Sequence, residues 1–289
     1  MKPKDRLRGC LIGGAIGDCI GGNYEGSNYN ETIDYNFDWT ISDDTQLTLA
    51  TCEAICDKEK VSPELVAARF LDWYDRRKLT GLGSSTLKAL RELQLGGHWA
   101  LVGRSGEYAA GNGAAMRIAP LAFKKQMDRQ TIKDVCTITH KNDEAYCGAL
   151  AIYYSIDCAI NERWTGEVDL IEKIIDEIPD TRVKDRLIEL NDLKDLTIIE
   201  IGKKFKPTGY VVDSVPVSLF AAQKINQLGF KSVMEELIKI GGDTDTTCSM
   251  AGQIIGALKG EQCISNDWIG KYKQLGIAIL VDEIVNKWV

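Results

Sequence analysis

Histidine is almost absent from this chain: His98 and His140 are the only two among 289 residues. A zinc site built on several histidines is therefore excluded. The nine cysteines form no CxxC pair, and each lies in an apolar or helical context. This usage is typical of reduced thiols rather than of a disulfide framework. We therefore expect a cytoplasmic protein whose chemistry depends on carboxylates or on oxygen ligands of a metal.

The chain also lacks an excess of basic residues and a long apolar run. Its 35 Lys and Arg against 42 Asp and Glu give a net charge of −7, which disfavours a broad nucleic-acid surface. The apolar stretch from Leu11 to Ile20 is too short to cross a membrane. Asp18 and several glycines also distinguish it from a signal peptide. We therefore expect neither a membrane nor nucleic acid as a partner.

Helical spacing of apolar residues dominates what is present. Residues 62–77 (SPELVAARFLDWYDRR) place Leu65 and Phe70 on one stripe after a Ser-Pro start, which predicts a helix. The same spacing predicts helices over 142–160, 169–178, 181–194, 231–240 and 273–288. The most apolar of them, 142–160, is expected at the centre of the molecule. Because alternating strands, linkers and repeats are missing, we predict one all-α domain over residues 1–289.

Two pairs of aspartates stand where a polar connection meets an apolar helical run. Asp43 and Asp44 lie in SDDTQLTLATCEAI, and Asp243 and Asp245 lie in GGDTDTTCSMAGQIIGAL. Either pair alone is compatible with simple helix capping, because a carboxylate at a helix start accepts its free N–H groups. One capping carboxylate is sufficient, however, and a second nearby adds repulsion unless a cation binds both.

Taken together, the two pairs predict one site for hard cations, at which both helix starts meet. Carboxylate and hydroxyl oxygens suit Mg²⁺, Mn²⁺ or Ca²⁺ and suit zinc poorly. Asp243 and Asp245 can both face such a site if they lie on a turn, since residues i and i+2 inside a helix diverge. The hydroxyls that flank the aspartates are those of Ser42, Thr45, Thr244 and Thr246.

A glycine-rich segment, AAGNGAAMRIAPL (109–121), is a candidate ligand loop. Gly111 and Gly113 allow the backbone to approach a ligand, and a helix starting at Ala114 would offer free N–H groups to a phosphate. An ordinary turn is an equally good interpretation of a lone GNG. The segment is neither a dinucleotide-binding fingerprint nor a P-loop, because no strand precedes it and no GK[ST] follows.

These blocks, in this order, resemble the ADP-ribosylglycohydrolase family over essentially the whole chain. The resemblance rests on RLRGCLIGGAIGDCIGGNYE, SDDT, GNGAAMRIAPL, the TH of CTITHKND, GYVVDS and GGDTDTTCSMAGQIIGAL. It implies a compact, orthogonal multi-helix bundle with a binuclear Mg²⁺ or Mn²⁺ centre. The implied reaction is hydrolysis of the N- or O-glycosidic bond between ADP-ribose and a modified side chain. The implied partner is an ADP-ribosylated protein or an ADP-ribose conjugate.

The resemblance also implies roles for individual residues. The implied metal ligands are Ser42, Asp43, Asp44, Asp243, Asp245 and Thr246. The implied ADP-ribose contacts are Gly111, Asn112 and Gly113 on the diphosphate and ribose, His140 in the pocket, and Tyr210 on the adenine. The residue that activates water is one of Glu25, Asp43 and Asp44, and the sequence does not choose among them.

The acceptor and the mode of action are open at the level of the sequence. The YVVD segment favours arginine as the acceptor residue, whereas NYE is similar to the serine-directed hydrolase. Glu107 and Tyr108, in the expected acceptor-facing stretch 98–113, face either the substrate or solvent. An ADP-ribosyl-binding or toxin-immunity protein is the alternative to an enzyme, although the motifs retain every metal ligand. We expect a monomeric hydrolase that reverses mono-ADP-ribosylation, with arginine favoured.

Overall fold

The computed structural model describes residues 1–29, 32–125 and 127–289, and helices make up almost all of its regular structure. The α-helices are α1 (Pro3–Gly22), α2 (Asp43–Ile55), α3 (Pro63–Asp75), α4 (Ser84–Gln94), α5 (Arg129–Thr137), α6 (Asp143–Ile160), α7 (Leu170–Ile174), α8 (Arg182–Asp192), α9 (Ile198–Lys204), α10 (Val211–Ala222), α11 (Ile225–Ile240), α12 (Thr244–Lys259), α13 (Asn266–Gln274) and α14 (Ala278–Lys287). Strands β1 (Arg104–Ser105) and β2 (His140–Lys141) form one short parallel pair. The predicted all-α class is confirmed.

Short 3-10 turns connect several of these helices. They cover Glu107–Ala109, Asn112–Ala114, Ala119–Phe123, Ile175–Glu177 and Glu261–Cys263. Three of them, together with β1, occupy the stretch between α4 and α5. That stretch therefore has no long helix or strand, and its backbone follows an irregular path.

Helices begin as predicted where a side chain caps them. Ser62 accepts the N–H of Leu65 and precedes a proline, so α3 begins at Pro63. Asn142 accepts two N–H groups of the first turn of α6. Because these caps are local, the neighbouring residues alone determine where each helix starts.

Three predicted helices differ from the structure. Stretch 169–178 forms α7 and a 3-10 turn instead of one helix, since Pro179 disfavours helical geometry just before it. Stretch 273–288 is split between α13 and α14 around Gly276. Helix α11 begins six residues earlier than residue 231, and Gly229 interrupts its helical geometry with a φ of 77°. Apolar spacing alone could not locate these breaks.

Helices α1 and α12 run antiparallel with their backbones in contact. A β-carbon built at Gly13 would lie 2.3 Å from the carbonyl oxygen of Gly252, and one at Gly256 would lie 2.0 Å from that of Gly9. At the other end of the contact, the Thr244 hydroxyl donates to the carbonyl oxygen of Gly21 over 2.7 Å. The C-terminus of α1 is thereby held against the N-terminus of α12.

Helix α6 is central and is surrounded by other helices, as its apolar composition predicts. Residues Ala149 to Ile152 are fully buried, and α6 packs against α10, α12 and α5. The cysteines are free thiols, all buried except the half-buried Cys263. In the described part of the chain, no helix combines the length and the hydropathy needed to span a bilayer.

Replacement of Gly13 by alanine should lower the free energy of unfolding by about 1–3 kcal/mol, because the added methyl group would force the α1 and α12 backbones apart. Gly270→Ala is the matched control. Gly270 is exposed within α13, and a β-carbon added there would have no atom within 4 Å, so this change should stabilise the protein by about 0.8 kcal/mol. Urea unfolding curves measure both. Equal stability of the two variants would contradict the close packing.

Candidate metal and active site

A single cavity of about 450 Å³ gathers side chains from distant parts of the chain. Its walls come from the turn after α1, the starts of α2, α4 and α12, and the segment around the 3-10 turn Asn112–Ala114. Ser42 does not line the cavity but bonds to Asp44, which does. The other predicted site residues line the cavity: Glu25, Asp43, Asp44, Gly111, Asn112, Gly113, His140, Tyr210, Asp243, Asp245 and Thr246.

The two acidic helix starts meet, as expected. At the start of α2, the Ser42 oxygen accepts the N–H of Asp44 over 3.3 Å, and its hydroxyl lies 3.2 Å from Asp44 Oδ2. The Thr246 hydroxyl of α12 donates to the same Asp44 oxygen over 3.1 Å. Asp44 is 1% exposed. One buried carboxylate therefore bridges the hydroxyls of both helices.

The start of α12 directs two aspartates toward the cavity. Asp243 is the N-cap, with a non-helical φ of −85° and ψ of 72°, and Asp245 lies in the first turn. Asp243 and Asp245 thus lie on the two sides of the helix boundary, which is the arrangement in which both were expected to face the site. Asp245 Oδ1 accepts the N–H of Thr246 over 2.8 Å. Asp243 Oδ2 accepts from the Asn112 side chain over 2.7 Å, which couples this helix start to the glycine-rich loop.

Asp18 was not among the predicted site residues, but the structure places it against the start of α2. This fully buried carboxylate of α1 accepts the N–H of Ser42 with both oxygens, over 3.1 and 3.0 Å, and that of Thr45 over 3.1 Å. It therefore holds the start of α2 against α1. In the sequence, Asp18 stands out only as an interruption of an apolar run. An acid within an apolar, glycine-rich helix was the available signal.

Burial and neighbouring negative charge raise the pKa of three aspartates in the cavity. Burial is the largest cause for Asp43, whose pKa rises to about 7, and the charge of Asp18 adds to it. Burial and then Asp243 raise the pKa of Asp245 to about 9. The pKa of Asp44 is well above its ordinary value through burial and the charge of Asp245. These groups share a negative potential that a cation would relieve.

The donor atoms fit a hard cation, although they do not enclose one. Within residues 1–29, 32–125 and 127–289, no group of three or more His, Cys, Asp or Glu side chains is arranged to hold a metal ion by itself. Asp44 Oδ1, however, is buried without a hydrogen-bond partner in that same part of the chain. The predicted ligands around it are all carboxylate or hydroxyl oxygens, the type that Mg²⁺ and Mn²⁺ prefer.

The expected helix at Ala114 is wrong. Asn112–Ala114 forms a 3-10 turn, and no α-helix follows before α5 in the described residues. The loop is instead fixed by backbone pairing: Asn112 N–H donates to Gly209 over 3.1 Å, and Gly111 pairs with Tyr210. The interpretation of this loop as a helix N-terminus that attracts a phosphate therefore does not apply.

His140 and Tyr210 both lie next to this loop. A β-carbon at Gly113 would lie 2.9 Å from His140 Cε1, so glycine is needed for the close approach of the ring. Burial, followed by the charges of Arg117 and Arg104, lowers the pKa of His140 to about 3. His140 is therefore neutral at physiological pH. The Tyr210 hydroxyl accepts from Arg182 over 3.3 Å.

Three further residues occupy the rim of the cavity. Glu25 lies in the turn after α1, and burial together with the charge of Asp243 raises its pKa. Glu107 and Tyr108 belong to the 3-10 turn before the glycine-rich loop and also line the cavity, although Tyr108 is 85% exposed. The sequence left open whether Glu107 and Tyr108 face the substrate or solvent. In the structure, both side chains border the cavity and are also accessible to solvent.

Comparison with known proteins places this chain among hydrolases that act on glycosyl bonds. The family model described as ADP-ribosylglycohydrolase matches residues 1–288, and the chain belongs to this family. The resemblance inferred from the sequence blocks is therefore confirmed over essentially the whole chain.

Similar proteins come from distant organisms. ADP-ribosylhydrolase ARH3 of Xenopus tropicalis is 25% identical, with 91% of this chain and 89% of the relative covered. The uncharacterized protein YegU of Escherichia coli is 27% identical, with 90% and 89% covered. A solved structure described as an ADP-ribosylglycohydrolase-related protein complex matches with a TM-score of 0.67 and 24% identity, covering 99% of this chain and 97% of that one. This structure supports the predicted multi-helix fold.

Without metal, the protein should lose stability as the pH rises from about 4 towards about 9. In the unfolded chain the aspartates ionise near 3.8, whereas the folded protein retains protons up to about 7 on Asp43 and about 9 on Asp245. Unfolding in this window releases protons, so the free energy of unfolding falls with rising pH. Urea unfolding in the presence of a chelator measures the slope.

The Asp43→Asn variant is the control for this pH dependence, because it removes one titrating group from the cluster. Its slope should be shallower than that of the unmodified protein. A slope that is unchanged in Asp43→Asn, or a stability that rises across the window, would contradict the elevated pKa values.

Proposed function

We propose that this chain is a metal-dependent hydrolase that releases ADP-ribose from a modified protein side chain, and so reverses mono-ADP-ribosylation. Arginine is the favoured acceptor and serine is the alternative. The observation that carries the proposal is the Thr246–Asp44 bond, which joins two acidic helix starts in the cavity that also contains the glycine-rich loop. Membership of the ADP-ribosylglycohydrolase family supports ADP-ribose as the group released.

Two Mg²⁺ or Mn²⁺ ions are the proposed cofactors. When bound, such ions supply positive charge that orients the ribose hydroxyls and the attacking water. The charge of the site supports this, since several buried carboxylates with raised pKa values repel one another in the ionised form. The residues proposed to hold the ions are Ser42, Asp43, Asp44, Asp243, Asp245 and Thr246.

The glycine-rich loop and its neighbours are proposed to bind ADP-ribose. Gly111 and Gly113 leave space for the diphosphate and ribose next to the His140 ring. The Asn112 amide donates to Ser214 and Asp243, which fixes its orientation beside the metal ligands. Tyr210 is proposed to stack on the adenine. A rigid loop of this kind lowers the entropic cost of orienting the glycosidic bond.

Glu25 is the carboxylate that we favour as the proton-transfer group. Asp44 already bonds to the hydroxyls of Ser42 and Thr246, and Asp43 is 7% exposed at the start of α2. Glu25 instead lies at the rim of the cavity, where it can reach a water or a leaving group. Its raised pKa brings it closer to the working pH, which suits a general acid or base.

The charge of the cavity favours a cationic acceptor. In the described part of the chain, no Lys or Arg lines the cavity. Two divalent ions would balance the four aspartates, so that Glu25 and Glu107 remain as negative charges near the rim. A guanidinium group is attracted by such a rim, whereas an uncharged serine side chain is not. The acidic side chains of the lining are Glu25, Asp43, Asp44, Glu107, Asp243 and Asp245.

Replacement of Asp245 by asparagine should lower the rate of ADP-ribose release from an arginine-modified protein by at least about 100-fold, since changes even in the second shell of a metal site cost about 10- to 100-fold. Chelation of the unmodified protein should reduce the rate comparably, and Mg²⁺ or Mn²⁺ should restore it. Release is measured by chromatography of free ADP-ribose.

The matched control for the activity test is Asp192→Asn, which also removes one negative charge, at an exposed position at the end of α8. Its rate should equal that of the unmodified protein. Full activity of chelator-treated Asp245→Asn would refute the metal-dependent hydrolase. Substrates with arginine-, serine- and nucleic-acid-linked ADP-ribose, assayed in parallel, identify the acceptor.

A further inference from the structure

Arg117 is a fully buried cation beneath the glycine-rich loop, and it forms no salt bridge within the described residues. Its charge is stabilised in other ways. Nε donates to the Gly113 carbonyl oxygen over 3.1 Å, and Nη2 donates to Thr139 Oγ1 over 2.7 Å. The guanidinium carbon lies 4.6 Å from the centre of the Phe70 ring. Arg117 thus joins the loop to the residue that precedes His140.

The contact between Thr139 and Arg117 has only one possible direction. Arginine has five N–H donors and no acceptor, so the Thr139 oxygen must accept. The same oxygen lies 2.7 Å from His140 Nδ1, and Thr139 is fully buried. The remaining question is which of these two atoms, Thr139 Oγ1 or His140 Nδ1, carries the hydrogen between them.

The burial of Thr139 answers this question. If His140 Nδ1 carried a proton, Thr139 would accept twice and its own hydroxyl hydrogen would lack an acceptor in the described part of the chain. A buried donor without a partner is costly. If Thr139 donates to Nδ1, its hydroxyl hydrogen is bonded while its oxygen still accepts from Arg117 Nη2. The neutral imidazole then carries its proton on Nε2.

Nε2 is the nitrogen that faces the ligand loop. It lies 3.2 Å from a β-carbon built at Gly111 and 3.3 Å from one built at Gly113. Glycine at both positions leaves this nitrogen open to the cavity, which His140 lines. No hydrogen bond from Nε2 to another described residue is present, so its hydrogen is free for a ligand.

We propose that Arg117 and Thr139 are positioning residues that hold His140 in the Nε2–H tautomer, so that the cavity presents a neutral donor to an oxygen atom of the substrate. A ribose or phosphate oxygen of ADP-ribose is the acceptor of that bond. This second half rests on the proposed function, whereas the tautomer itself does not. A histidine with the opposite tautomer would present a lone pair and would repel the same oxygen.

The tautomer can be read directly by ¹⁵N NMR of the full-length protein, since a protonated and an unprotonated ring nitrogen differ in chemical shift. The chain has only two histidines, so His98→Gln assigns the signals without touching the cavity. We expect the ring proton of His140 on Nε2. A proton on Nδ1 would overturn the proposal, and this measurement needs no variant in the core.

Thr139→Val tests the positioning role, and Thr139→Ser is its matched control because it keeps the hydroxyl. The serine variant should retain the Nε2–H signal, whereas the valine variant should shift it towards a mixture of tautomers. Titration with ADP-ribose should show binding weakened by about 3- to 10-fold in Thr139→Val, the usual effect of a lost hydrogen bond, and little change in Thr139→Ser.

The outcomes separate this proposal from the proposed function. An unmodified protein that carries Nε2–H but binds no ADP-ribose would contradict the proposed function and leave the tautomer established. Identical spectra and affinities for Thr139→Val and Thr139→Ser would overturn the positioning role of Thr139. Circular dichroism and thermal unfolding of both variants show whether an effect comes from the tautomer or from loss of the fold.

Discussion

The backbone contact between α1 and α12 is the constraint on which the site depends. Because no side chain separates Gly13 from Gly252, the register of the two helices is fixed by their main chains. This register places Gly21 beside Thr244, and it carries Asp245 to the end of α1. Asp18 then attaches the start of α2 to the same helix. The two acidic pairs are thus positioned relative to one rigid reference, although they lie near opposite ends of the chain.

The sequence predicted those features that depend on local chemistry. The caps at Ser62 and Asn142 set helix starts that can be located from a few neighbouring residues. The meeting of the acidic pairs was predictable for a different reason: surplus carboxylates at two helix starts are costly unless they share a cation. The family blocks then added the residues of the loop. The single-domain organisation and the monomeric state stay predictions.

The features that the sequence did not reveal depend on contacts between distant residues. The role of Asp18 comes from N–H groups 24 and 27 positions away, and no local pattern announces such bonds. The loop at Asn112 follows backbone pairing with Gly209 and Tyr210 instead of the helix that its own residues suggested. The split of 273–288 likewise arises where α13 and α14 both pack on α1. The spacing of apolar residues indicates where a helix runs, but the residue at which it ends also depends on the helices that it packs against.

The short pair β1–β2 joins two parts of the cavity wall that differ in burial, since His140 is buried and Tyr108 is exposed. Arg104 is in register with His140, and the Asn142 side chain donates to the carbonyl oxygen of Gly106 over 3.0 Å. The turn with Glu107 and Tyr108 is therefore anchored at its base while its tip is exposed. Side chains on that tip can be exchanged without moving the histidine. The cavity wall thus consists of an exposed turn that should tolerate substitution and a buried histidine that is held in place by separate contacts.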